Sequence, residues 1–114
     1  MKLDAVCFYT NDIDKVVDFY SNIIGLKLDY RVGDAFVSFK FENGVRLAIK
    51  KAIETREKPG AQTMFIQVND SKAQYEEMKI KNVVFYKELT EENWGIEFAI
   101  LDPDKNKIAL IQRK

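Results

Sequence analysis

The segment LDAVCFYTNDIDKVVDFYSNIIGL, residues 3–26, places a strand directly before a helix. Leu3 to Thr10 is rich in β-branched and aromatic residues and reads as a strand. Asn11 and Asp12 follow, and either side chain can cap a helix by accepting a backbone N–H bond. Ile13, Val16, Val17, Tyr20, Ile23 and Ile24 then recur at helical spacing, so one face of that helix is apolar. Gly25 supplies the left-handed residue that ends it.

Outward from this segment, Leu26 to Arg31 and Ala35 to Glu42 read as strands joined by a turn at Gly33-Asp34. Asn43-Gly44 marks a hairpin, and Val45 to Lys51 returns, with Leu47 and Ile49 on one face and Arg46, Ala48 and Lys50 on the other. The face on which Val37, Phe39 and Phe41 lie depends on that turn's type and stays open. Ala52 to Gly60 is polar, ends in Pro59-Gly60 and reads as a linker whose ETREK run, residues 54–58, is solvated.

The second half repeats the order strand, helix, strand, strand, strand. Ala61 to Asn69 is a strand, and Asp70 or Ser71 caps a short helix in which Ser71 and Gln74 have capping-box spacing. Tyr75 and Met78 are its expected buried residues. Val83 to Glu88, Gly95 to Leu101 and Lys107 to Arg113 are strands, the last two joined by the turn Asp102-Pro103-Asp104. TND at 10–12 recurs as VND at 68–70, and RLAIK at 46–50 has its counterpart in KIALI at 107–111. Both offsets are about sixty residues, the mark of an internal duplication. The expected fold is therefore α+β: a module at about 1–52, a linker at 53–60 and a second module at about 61–114, completing one another within a single domain.

Composition narrows the function. With 114 residues, 18 Lys+Arg against 18 Asp+Glu, the chain offers no basic surface for nucleic acid. No run approaches the roughly twenty apolar residues of a membrane span, and the N-terminus has no signal-peptide character. The single cysteine, Cys7, excludes an internal disulfide and fits a reducing cytoplasm. The absence of histidine removes the serine triad, a His-paired cysteine nucleophile and most transition-metal sites together.

The sequence resembles the vicinal oxygen chelate superfamily of glyoxalases, bleomycin-resistance proteins and extradiol dioxygenases. Phe19-Tyr20 and Gly25-Leu26 stand where that family's first helix expects them. The ending WGIEFAILDPDKNKIALIQ is similar to its closing hairpin, whose hallmark is Asp-Pro-Asp-Gly-Asn. Asp102, Pro103, Asp104 and Asn106 match, and Lys105 replaces the glycine. The resemblance covers essentially the whole chain. It implies two βαβββ modules curled around a cup, helices outside, and a homodimer in which modules pair within one chain or swap between chains. In metal-dependent members a divalent ion is held by one ligand from each of four strands. Those positions fall here on Ala5, Ala48, Thr63 and Ala109, none of which is a credible ligand, so neither metal nor other cofactor is expected.

Strand alternation gives the residues that share the vacated face. They are Ala5, Cys7 and Tyr9; Arg46, Ala48 and Lys50; Thr63, Phe65 and Gln67; and Lys107, Ala109 and Ile111. The family pattern adds Glu97, Ala99 and Leu101, with Asn93 and Trp94 near the rim. Tyr9, Arg46, Lys50, Phe65, Gln67, Trp94 and Glu97 are the candidate ligand-binding set, suited to a partly flat organic molecule with polar substituents. Glu97 is also the one weak catalytic candidate, as a general base, although an inward carboxylate more often pairs with a cation, here Arg46 or Lys50. Cys7 is expected to be a buried, inert thiol. The leading function is a metal-independent small-molecule-binding protein of the bleomycin-resistance type, acting by sequestration. The alternatives are a divergent glyoxalase-type lyase or isomerase or another enzyme of the dioxygenase family, and an interaction module whose cup is filled by its own side chains.

Overall fold

Ala5–Thr10 forms strand β1, and Asp12 caps the helix after it, its side chain accepting the Lys15 N–H at 3.2 Å. Helix α1 (Ile13–Asp18) continues without a break into a π-helical turn, Phe19–Ile24. Gly25, at φ 86°, closes it, and the N–H groups of Gly25 and Leu26 both donate to the Tyr20 carbonyl. The wider turn alters the expected stripe. Ile13, Val16, Phe19 and Tyr20 are buried, whereas Val17, Ile23 and Ile24 are only half-buried. Regular α spacing places Ile23 and Ile24 on the buried face because it cannot anticipate the wider turn; Val17, which precedes that turn, lies at the margin of the stripe.

The computed structural model describes all residues, 1–114, which divide into two compact units, Met1–Gly60 and Ala61–Lys114. In the first, β2 (Lys27–Val32), β3 (Phe36–Lys40) and β4 (Arg46–Lys51) join β1 in a sheet of order β1-β4-β3-β2. β1 runs parallel to β4, and the other pairings are antiparallel. Cα register places Phe8, Ile49 and Val37 in one row and Leu47 beside Phe39 in the next, all on one face. That face is covered by the helix: the Tyr20 and Phe39 rings lie 5.6 Å apart, and Val16, Tyr20, Val37, Phe39 and Leu47 are fully buried. Each such side chain contributes about 1.5–3 kcal/mol by leaving water. Val37 and Phe39 thus face the helix, which settles the question the Asn43-Gly44 turn left open.

The second unit repeats the topology. β5 (Thr63–Gln67), β6 (Val84–Glu92), β7 (Gly95–Leu101) and β8 (Lys107–Arg113) form a sheet of order β5-β8-β7-β6, with β5 parallel to β8. Helix α2 (Ser71–Lys79) covers one face through Tyr75 and Met78, and Tyr75 packs edge-on against Phe85 and Phe98. The two matching strand orders bear out the strand–helix–strand–strand–strand repeat and the α+β class. Asp70, not Ser71, caps α2, accepting the Ala73 N–H at 3.0 Å. Ser71 is already helical and buried: its hydroxyl donates to the Leu110 carbonyl, and its N–H donates to the Gln112 side chain. The capping-box spacing of Ser71 and Gln74 is therefore coincidental.

The turn before β8 is built on Asp102, a buried carboxylate that accepts N–H bonds from Asp104, Asn106 and the Asn106 amide at 2.8–2.9 Å. Asn106 in turn accepts the Gln62 N–H, tying the turn to the start of β5. Lys105 adopts φ 68° in this turn, a left-handed conformation that a residue with a Cβ resists. Lys105→Gly is expected to stabilise the protein by about 0.5–1 kcal/mol, the strain relieved being partly offset by a freer unfolded chain. Urea denaturation would show it as a higher midpoint at unchanged slope. An unchanged or lower midpoint would mean that the turn stores no strain at that residue.

Candidate functional site

In each unit one sheet face packs on a helix, and the opposite face carries the residues singled out from the sequence. In the first unit the parallel register Ala5↔Arg46, Cys7↔Ala48 and Tyr9↔Lys50 gathers them as strand alternation predicts. Their polar groups are taken up locally. Arg46 pairs with Asp29 at 2.8 Å and with Asp4 at 3.4 Å. Lys50 donates to both carboxylate oxygens of Glu57, at 2.7 and 2.8 Å, and Arg56 donates to the Tyr9 hydroxyl at 3.3 Å.

The ETREK run is therefore more than solvated linker. Glu57 is only 4% exposed, and besides Lys50 it accepts the N–H groups of Ile53 and Glu54. The Lys50 ammonium first, and those backbone donors next, hold its carboxyl down at a pKa of about 2. No sequence pattern marks which of the carboxylates in this polar stretch will meet Lys50. Cys7, expected to be buried, is exposed on this face, because β1 is an edge strand flanked by β4 alone. Partial burial, and then the Glu57 charge, push its thiol pKa up, which leaves less thiolate for nucleophilic chemistry.

The second unit is arranged differently. Phe65, Ala109 and Ala99 share one cross-strand row, and Gln67, Ile111 and Glu97 share the next. Ala99, Ala109 and Ile111 make a buried cluster, low because two of its three side chains are methyl groups. Phe65, Trp94, Glu97, Ile111 and Arg113 line an open concavity of about 270 Å³, which meets that cluster at Ile111. Phe65 is 63% exposed and Trp94, in the tight turn between β6 and β7, is 40% exposed. Gln67 lies on the same face without lining the concavity.

Glu97 is nearly buried, and its carboxylate binds the Lys87 ammonium at 2.5 Å, within its own sheet. It pairs with neither Arg46 nor Lys50. Lys87 escapes a reading by alternation because register shifts on both sides of it move it onto this face. Arg113 was within reach of sequence reasoning: it is the next step in the alternation Lys107, Ala109, Ile111. Its guanidinium sits 5.8 Å from the centre of the Trp94 ring.

A divalent metal does not fit the residues at the family's ligand positions. Ala5, Ala48 and Ala109 carry methyl groups with no lone pair, and Thr63 offers only a neutral hydroxyl. In neither unit do three His, Cys, Asp or Glu side chains gather as a metal would need. Asp4, next to the first of those positions, is engaged by Arg46.

Comparison with known proteins adds the following. The profile described as Glyoxalase/Bleomycin resistance protein/Dioxygenase superfamily matches residues 2–110. Among solved structures, a member of that superfamily from Sphaerobacter thermophilus aligns with a TM-score of 0.83 and 20% identity over 99% of this chain and 98% of its own. A lactoylglutathione lyase from Agrobacterium tumefaciens aligns with a TM-score of 0.79 and 17% identity over 97% of this chain and 92% of its own. A protein described only as a conserved domain protein covers 100% of both chains with a TM-score of 0.87 and 17% identity. At these identities the likeness shows the fold alone. The search of curated proteins finds no match.

Proposed function

This chain belongs to the glyoxalase/bleomycin resistance protein/dioxygenase superfamily, and from that premise we propose that it binds a small organic molecule without metal, acting by sequestration. The observation that carries this reading is the concavity of the second unit, lined by two exposed aromatic rings, Ile111 and two charged side chains, in a chain whose family ligand positions hold alanine and threonine. Exposed aromatic faces beside a few fixed polar groups suit a flat ligand. The free thiol of Cys7 supports a cytoplasmic setting, and no helix is long and apolar enough to cross a membrane. We also propose a homodimer. Each sheet leaves its two outer strands unpaired on one side, β1 and β2 in the first unit and β5 and β6 in the second, and a second copy could cover them.

A thermal-shift screen of aromatic metabolites and glycopeptides tests the binding reading. At least one hit should raise the melting temperature and move the indole N–H resonance of Trp94, the only tryptophan. A screen in which no compound moves that resonance would contradict it.

An enzymatic reading rests on Glu97, a carboxylate held at the wall of the concavity. The Lys87 ammonium binds one of its carboxylate oxygens, Oε1, and so competes with a substrate proton for that atom. Turnover of a bound compound that disappears in Glu97→Gln while binding persists would support that reading over sequestration.

A further inference from the structure

We infer that the ligand is a small planar aromatic anion, its ring against Trp94 and Phe65 and its anionic group on Arg113. This rests on the concavity being the binding site and adds the chemistry of what enters it.

The cations on this face divide into two kinds. Lys87 is shared by two carboxylates, Glu97 at 2.5 Å and Glu92 at 3.8 Å. Arg113 and Lys107 make no ion pair; each is held against a ring, Arg113 over Trp94 and Lys107 over Tyr86, the latter at 4.8 Å. Three cations thus face two carboxylates, both of them committed to Lys87, and the surplus positive charge lies at Arg113 and Lys107. Elsewhere in the chain the arginines have carboxylate partners: Arg31 with Asp14, Arg46 with Asp29, Arg56 with Glu54. Arg113 is the arginine without one, and it lines the concavity.

A guanidinium lying over an indole keeps its N–H fork free at the edge, where it can meet a carboxylate or similar oxyanion with two parallel bonds. The ring of the same ligand would then extend over Trp94 and Phe65. Glu97 does not bar an anion from the concavity, because the Lys87 ammonium paired with it offsets its charge. The volume of about 270 Å³ lies just below the usual range of ligand sites, which restricts the occupant to one or two fused rings.

The test compares 2-naphthoate, its neutral isostere 2-naphthamide and the non-planar cyclohexanecarboxylate by calorimetry, with the Trp94 indole resonance reporting location. Naphthoate should bind about tenfold tighter than either control. Measured on the same variant, naphthoate and naphthamide should bind Arg113→Gln equally, the tenfold preference being lost, while Arg113→Lys should keep part of that preference. Both substitutions change an exposed side chain and leave the backbone pairing of Arg113 with Gly95 as it is, so the fold should persist. Equal binding of naphthoate and naphthamide at Trp94 would overturn the anion assignment while leaving the concavity a binding site. Cyclohexanecarboxylate binding as tightly as naphthoate would overturn the planar requirement. If none of the three moves the Trp94 resonance while a screening hit does, the aromatic-anion class is wrong and the site stands. If nothing moves it, both readings fall.

Discussion

Gly95→Ala should destabilise the second unit by about 3 kcal/mol or more. Gly95 starts β7 opposite Arg113 of β8, and its φ is not the reason glycine is needed there. Space is. A Cβ on residue 95 would lie 2.0 Å from the Gln112 carbonyl oxygen, 3.0 Å from its carbonyl carbon and 3.1 Å from Arg113 Cα. All three are backbone atoms of the neighbouring strand, so no side-chain rotation relieves the clash. β7 and β8 must part at their paired ends, breaking ladder hydrogen bonds and shifting Trp94 and Arg113, which flank the concavity. Denaturant unfolding should show a large drop in midpoint, and any ligand that moves the Trp94 resonance should bind more weakly to the folded variant. A variant as stable as the parent would mean that the strands do not approach this closely.

The second large effect is expected at Glu57. Its carboxyl titrates at about 2, against 4.5 for an ordinary glutamate, because Lys50 and the Ile53 and Glu54 N–H groups favour the charged form. The folded protein therefore holds fewer protons here than the unfolded chain between those two values, so the contribution to stability rises with pH across that window. It is complete above the ordinary glutamate range and is lost as pH falls toward about 2. Glu57→Gln should lower stability at neutral pH, leaving Lys50 without its counter-charge and residues 53–57 less firmly attached to the first unit. The difference between parent and variant should shrink progressively as the solution is acidified below pH 4.5. Parallel stability curves from neutral pH to pH 2 would contradict the assignment of Glu57 as the group responsible.

The strand order and the site faces were legible to different depths. Period-two alternation places Tyr9, Lys50 and Phe65 on the faces away from the helices, because it depends only on the extended backbone, and the family resemblance adds Glu97. What each polar group would meet was not legible. Glu57 reaches Lys50 from a stretch with no periodicity, and Lys87 reaches Glu97 through register shifts in β6. Both partners are set by tertiary path and not by local spacing. The helix stripe was misread at Ile23 and Ile24 for a related reason: the wider turn at Phe19–Ile24 rotates the side chains that follow its start. Lys105 shows the opposite case. Its place in a motif that elsewhere carries glycine already points to positive φ, and the backbone has it.

The most direct test of metal-free binding is one calorimetric titration of a screening hit into protein stripped with chelator, repeated after adding zinc, nickel, manganese or iron(II). The alanines at positions 5, 48 and 109 predict superimposable isotherms with the same affinity and stoichiometry. Binding that vanishes with chelator and returns with one of these ions would contradict the account.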